Sequence, residues 1–264
     1  MDNIDGWVVR EFGPKDPEQT ALFLPGALAS HVFIEDVAAV SELGTTRIVG
    51  TTLPGYAGTS PPADDRVETY ASQAGRLAAT VGADIVVGHS LGANVAIEMA
   101  AAHEFSGPLV LISPSFSRKD ESIAPRALDK LSVVLGHLPF SLVLKMMGPM
   151  MKGALPKNRQ AALGAELENN DARFVRRATH TIMSYYDAHG NLAPRLCDSG
   201  SRSWVVFGEK DDVKLQADER RQLEACPQIT LVTIQGTGHF ALNTHPDRIA
   251  KLMLDAFSSA QEPA

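Results

Sequence analysis

The stretch DIVVGHSLGANVAIEMA, residues 84–100, decides how the rest of the chain is read. Ile85, Val86 and Val87 form a short β-branched run, the pattern of a strand buried on both faces. From Leu91 onward Val95 and Met99 recur at helical spacing, with Ala96 and Ala100 beside them. Ser90 therefore stands at a strand-to-helix junction, flanked two residues away on either side by Gly88 and Gly92. A buried strand would accept another valine at that place, and a helix starts better without glycine.

Gly88-His89-Ser90-Leu91-Gly92 fits G-x-S-x-G, the turn that displays a nucleophilic serine. The serine takes a strained backbone conformation there, and its hydroxyl stands clear of the sheet. Side chains two residues before and after it would collide, so both places are glycine. The helix that follows offers unpaired N–H groups and its dipole to a developing anion. The plain alternative is a turn with a capping serine; the strand before it and the small-residue helix after it favour display. His89 is expected to pack or to make a structural hydrogen bond, because neighbouring side chains on a tight turn point apart.

A chain of 264 residues and 28.3 kDa suits one large α/β domain, with room for an insertion. A net charge of −7 leaves no basic footprint for phosphates, which argues against a nucleic-acid partner. The acidic opening MDNIDGWVVREFG has no apolar run of the secretory type, and no window reaches transmembrane length. Cys197 and Cys226 are too few for a disulfide framework and lack metal-ligand spacing. These features predict a cytoplasmic protein with reduced thiols, without a membrane partner, metal or cofactor.

Strand patterns fall at Trp7–Phe12, Ala21–Gly26, Thr45–Thr52, Pro108–Ser113, Arg202–Gly208 and Ile229–Gly236, besides the one before Ser90. Helical patterns lie between them, at YASQAGRLAATVG, Ala217–Ala225 and Pro246–Phe257. The alternation predicts a mostly parallel sheet with helices on both faces. It breaks between Ser113 and Arg202, where the sequence is helical in period and poor in strands. The expected organisation is a core of residues 1–113 and 199–264 with a helical cap inserted at 114–198. Residues 114–200 carry 12 Lys and Arg against 8 Asp and Glu, which makes either solvated helix faces or a mildly attractive mouth for an anion.

A serine hydroxyl needs a base, and the base needs a third group to hold its tautomer. For a serine on such an elbow the chain order is Ser, then Asp or Glu, then His. His239 lies in GTGHFALNTHP, just past the strand ITLVTIQ, in a glycine-rich loop that can carry it over the sheet edge. Asp211 and Asp212 follow the strand RSWVVF, and Asp120, after PLVLIS, is the rival acid.

Taken together, these motifs make the chain resemble the α/β-hydrolase fold superfamily from end to end. GHSLG is similar to its serine elbow, GEKDD to its G-x-x-D acid loop, GTGHF to its G-x-G-H loop and LPGYAGTS to its P-G-x-G-x-S segment. The resemblance implies Ser90 as nucleophile, Asp211 as acid (third after Gly208) and His239 as base. It also implies an oxyanion hole made by the backbone N–H groups of Leu91 and, from Pro25-Gly26-Ala27, of Ala27. Three departures stand out: Pro25 replaces the usual histidine, the Asp before P-G-x-G is missing, and little chain remains for a full opening hairpin.

Such a set suits acyl transfer, hence hydrolysis of an ester, thioester or lactone of a small to medium apolar substrate. Met146, Met147, Met150 and Met151 offer a flexible apolar lining, with Met147 and Met150 the expected pocket residues and packing within the cap the competing reading. A carbon–carbon bond hydrolase using the same three residues and a small-ligand receptor with slow or no turnover are the alternatives.

Overall fold

Seven apolar runs become strands: β1 (Val8–Phe12), β2 (Gln19–Leu24), β3 (Thr46–Thr52), β4 (Ile85–His89), β5 (Leu109–Ile112), β6 (Ser203–Gly208) and β7 (Ile229–Ile234). The computed structural model describes residues 6–121 and 123–261, leaving out the side chains at 123–126, 129, 134, 150 and 152. The strands form one sheet in the order β1-β3-β2-β4-β5-β6-β7. Only β1 runs antiparallel to its neighbour; every other pair is parallel. This is the mostly parallel sheet that the strand-helix alternation predicts.

β4 shows why the sheet holds. Ile85, Val86 and Val87 are fully buried, and their alternation sends Val86 to one core and its two neighbours to the other. Each such side chain contributes about 1.5–3 kcal/mol of transfer free energy. On the Val86 face lie α2 (Val67–Val81) and α3 (Leu91–Ala101). The other face is covered by the short α1 (Glu35–Ala38) and, at the end of the chain, by α10 (Ala241–Thr244) and α11 (Pro246–Ala260). No helix among the described residues is long and apolar enough to cross a membrane.

Between β5 and β6 the described chain holds helices and no strand: α4 (Ile123–Leu135), α5 (Leu138–Met150), α6 (Gln160–Glu168), α7 (Ala172–His189) and α8 (Ala193–Asp198). After β6 comes α9 (Ala217–Glu224). This segment is tied to α3 by Glu98, a buried carboxylate that takes Arg195 Nη2 at 2.6 Å and Tyr185 Oη at 2.8 Å. Its burial is tolerable because both donors satisfy it.

One expectation is overturned. Cys197 and Cys226 are joined in a disulfide, with Cα atoms 5.9 Å apart and a separation of 29 in sequence. The fold sets the end of α8 against the turn after α9, where Gln228 Nε2 also donates to the Cys197 carbonyl at 2.7 Å. Two cysteines suffice for one bridge when tertiary packing brings them together.

Candidate functional site

Ser90 sits in the turn between β4 and α3 with φ +52° and ψ −119°, a conformation that non-glycine residues rarely hold. Its N–H is tied to the Ile112 carbonyl at 2.8 Å, and its own carbonyl receives Ala93 N–H at 2.9 Å. The flanking glycines are required by contact. A side chain at Gly88 would meet the Gly92 carbonyl at 2.6 Å, and one at Gly92 would run into the Leu24 carbonyl. Buried all around, the serine itself stays partly accessible. Among the described residues its hydroxyl has no hydrogen-bond partner, and hydrogen bonds of this kind often close only around a bound ligand.

The loop after β2 runs close by. A Cβ at Gly26 would lie 3.1 Å from Ser90 Cβ. Among the described residues, neither Ala27 N–H nor Leu91 N–H has a hydrogen-bond acceptor. Leu91 gives the first N–H of α3, so it also carries that helix's positive end. Leu28, next in the loop, takes φ +69°. Its carbonyl receives Asn170 Nδ2 at 3.0 Å, while Asn170 Oδ1 receives Ala57 N–H, in the LPGYAGTS segment, at 2.9 Å. One side chain from the loop between α6 and α7 thus pins two core loops together.

His239 and Asp211 come from the loops after β7 and β6, which are neighbouring parallel strands. Lys210 N–H bonds to the Thr237 carbonyl at 2.8 Å, which draws the two loops together. His239 Nδ1 lies 3.0 Å from Asp211 Oδ1. Because the carboxylate accepts, Nδ1 carries the proton, and Nε2 keeps the lone pair a base needs. Asp211 is buried and fully engaged: Oδ1 also takes Val213 N–H at 3.0 Å, and Oδ2 takes Ser113 Oγ at 2.5 Å.

Burial works against both charges, yet the pair wins. For Asp211 the donors His239, Ser113 and Val213 outweigh burial and hold the carboxyl below its usual range. For His239 burial pulls the pKa down, but the hydrogen bond and charge of Asp211, helped by Glu121 and Asp212, raise it above that of ordinary imidazole.

His89 packs against His239, with ring centroids 4.9 Å apart. Its Nε2 donates to the His239 carbonyl at 3.0 Å, and its Nδ1 is buried without a partner among the described residues. Burial and the neighbouring imidazole push it down to about 3, so it stays neutral. This is the structural hydrogen bond expected of it.

Asp120 is directed elsewhere. Its carboxylate takes the N–H groups of Phe116 at 2.8 Å and Ser117 at 3.3 Å and Gln216 Nε2 at 3.0 Å. Burial, then Glu219, pushes it up to about 7. Asp212 is exposed, and Glu209 accepts Gly236 N–H at 3.0 Å.

Met147, on α5, is partly buried and packs on both cores, whereas Met146 is exposed. The side chain of Met150 lies outside the described residues. A cavity of about 350 Å³ opens beside α5, lined by Ser141, Leu144, Lys145, Glu168, Asn170 and Ala172. Among the described residues no group of three His, Cys, Asp or Glu side chains could hold a metal ion. Sequence reasoning missed Ser113 and Asn170, whose roles depend on contacts made across the fold.

A model of the alpha/beta hydrolase family matches residues 21–252. No curated protein sequence matches the chain. Among solved structures, an esterase from Exiguobacterium antarcticum superposes with a TM-score of 0.75 at 16% identity, covering 96% of this chain and 95% of its own. A thermophilic esterase from Thermogutta terrifontis gives 0.75 at 14% identity, covering 97% and 94%. An N-acyl homoserine lactonase complexed with N-butanoyl homoserine gives 0.75 at 16% identity, covering 98% and 94%. At these identities the likeness is one of fold.

Proposed function

We infer, since the chain belongs to the alpha/beta hydrolase family, that it is a serine hydrolase cleaving a carboxylic ester, thioester or lactone of a small to medium apolar substrate. The observation that carries this reading is the Asp211–His239 hydrogen bond of 3.0 Å, made beside a serine held at φ +52° on its strand-to-helix turn. Ser90 Oγ adds to the substrate carbonyl as His239 Nε2 takes its proton. Negative charge moves to the carbonyl oxygen, which the N–H groups of Ala27 and Leu91, without acceptors among the described residues, receive. The protonated imidazole gives its proton to the leaving alcohol or thiol, and an acyl-Ser90 ester remains. Water, deprotonated by His239, releases the acid and restores the serine. Asp211 holds the Nδ1–H tautomer and stabilises the imidazolium in both halves.

Residues 114–198 act as the cap over this site and choose the substrate. Asn170 supports that role, since it borders the α5 cavity and binds the Leu28 carbonyl beside Ala27. A panel of p-nitrophenyl esters, thioesters and lactones tests the reading. Hydrolysis by the protein that disappears in Ser90→Ala and His239→Ala is the expected result. Hydrolysis that survives Ser90→Ala overturns it.

A further inference from the structure

Ser113 directly follows β5, at a place where a serine has a conformational cost. Its φ is +53°, in the left-handed region that glycine holds freely and other residues do not. The site is fully packed, and the residue is 1% exposed. The backbone is held there by Ser113 N–H, which bonds to the Val206 carbonyl at 2.8 Å. What a glycine would lack is the hydroxyl. That hydroxyl lies 2.5 Å from Asp211 Oδ2 and 3.5 Å from the His239 carbonyl. Asp211 is an acceptor only, so Ser113 is the donor.

The distribution of donors on Asp211 gives the bond its meaning. Oδ1 is shared by His239 Nδ1 and Val213 N–H, both at 3.0 Å. Oδ2 has Ser113 alone among the described residues. A buried carboxylate oxygen without a donor is costly, and the group would turn to find one. We propose that Ser113 is a positioning residue, whose hydroxyl fixes Asp211 Oδ2 so that Oδ1 stays on His239 Nδ1 during turnover. The inference rests on the triad reading above, and it adds a fourth side chain that never touches substrate. Strain at φ +53° is what the chain accepts to place that hydroxyl.

Ser113→Gly and Ser113→Ala test it together. Both remove the hydroxyl, but only alanine keeps the left-handed strain, so glycine gives the more stable protein of the two. Loss of a hydrogen bond to a charged group predicts that kcat falls about tenfold to hundredfold in both, with KM within about twofold. The downfield proton resonance of His239 Nδ1, read by NMR without any turnover, should broaden or move upfield in both variants. The proposal fails if either variant keeps wild-type kcat and an unchanged resonance, or if kcat follows the melting temperature. Should the wild-type protein hydrolyse no ester while the resonance still responds to Ser113→Gly, the function reading falls and the positioning role stands.

Discussion

Replacing Asp211 by asparagine removes the charge from the centre of the site and leaves its shape. The Asp211 side chain is 1% exposed and accepts three hydrogen bonds, one of them from the His239 imidazole, which the proposed mechanism makes cationic. Val213 N–H, a fixed donor on Oδ1, keeps the amide oxygen of asparagine where Oδ1 was, so the His239 tautomer survives. The imidazolium then forms without its counter-charge. Breaking one partner of a buried charged pair costs about 3–5 kcal/mol, which at about 1.4 kcal/mol per decade is a fall in kcat of about 10²–10⁴-fold. Asp212→Asn, at an exposed neighbour, should stay within about twofold. The pH profile carries the sign. In the wild type, activity falls as pH drops through the raised His239 pKa, above 6.5. Without Asp211, burial acts against protonation, and only Glu121 and Asp212 favour it. The acid limb of kcat/KM therefore moves to lower pH. Steady-state kinetics from pH 5 to 9 on both variants measures this. An Asp212→Asn enzyme more impaired than Asp211→Asn, or an acid limb that stays in place, refutes the reasoning.

The same pair sets a stability window. His239, raised, stabilises the fold fully below 6.5 and loses this as pH climbs through its folded value, while Asp211, lowered, stabilises above 3.8 and loses this as pH falls through its own. Thermal melts across pH should show both edges of that window lost in Asp211→Asn. Asn170→Ala frees the Leu28 carbonyl and Ala57 N–H, and a loosened oxyanion loop should lower kcat on a short ester by about tenfold, less than the 10²–10³ of losing a donor outright. A change in KM alone would place Asn170 in substrate binding instead. Met147→Trp should shift the preferred acyl length in a p-nitrophenyl ester series by about ten- to two-hundred-fold between substrates, whereas an equal drop for all would make Met147 packing only. Reducing Cys197–Cys226 opens a loop of 29 residues and should cost about 3.6 kcal/mol on the chain-entropy account, read as a lower melting temperature in dithiothreitol. Two alkylatable thiols in folded protein prepared without reductant would remove the bridge.

The sheet was legible because its strands are apolar, β-branched runs with turn residues at their ends. β3, expected at Thr45–Thr52, begins at Thr46, and β7, expected to Gly236, ends at Ile234. The elbow could be read from its pattern, although only Gly88 answers to contacts within a few residues, with Gly92 and Ala93. Gly92 answers to the Leu24 carbonyl on the neighbouring strand. What escaped the sequence depends on distant contacts. The sign of φ at Ser113 is invisible in Ile112-Ser113-Pro114, and its partner lies 98 residues on. Asn170 reaches Leu28 across 142 residues, and nothing local distinguishes it from Asn169. The reduced-thiol expectation failed likewise, since no motif joins Cys197 to Cys226; the packing of α8 beside the turn after α9 does. Asp120 and Asp211 both follow core strands, and only the fold shows that the first is spent on turn N–H groups while the second meets His239.

The central claim is that Ser90 is a nucleophile activated by His239. Treating the folded protein with a fluorophosphonate and locating the adduct by peptide mass spectrometry tests it without knowledge of the natural substrate. One phosphonate per chain, on Ser90, formed in wild type and lost in His239→Ala, is the predicted result. An adduct on another residue, labelling that persists in His239→Ala at the wild-type rate, or no labelling of folded protein would contradict it.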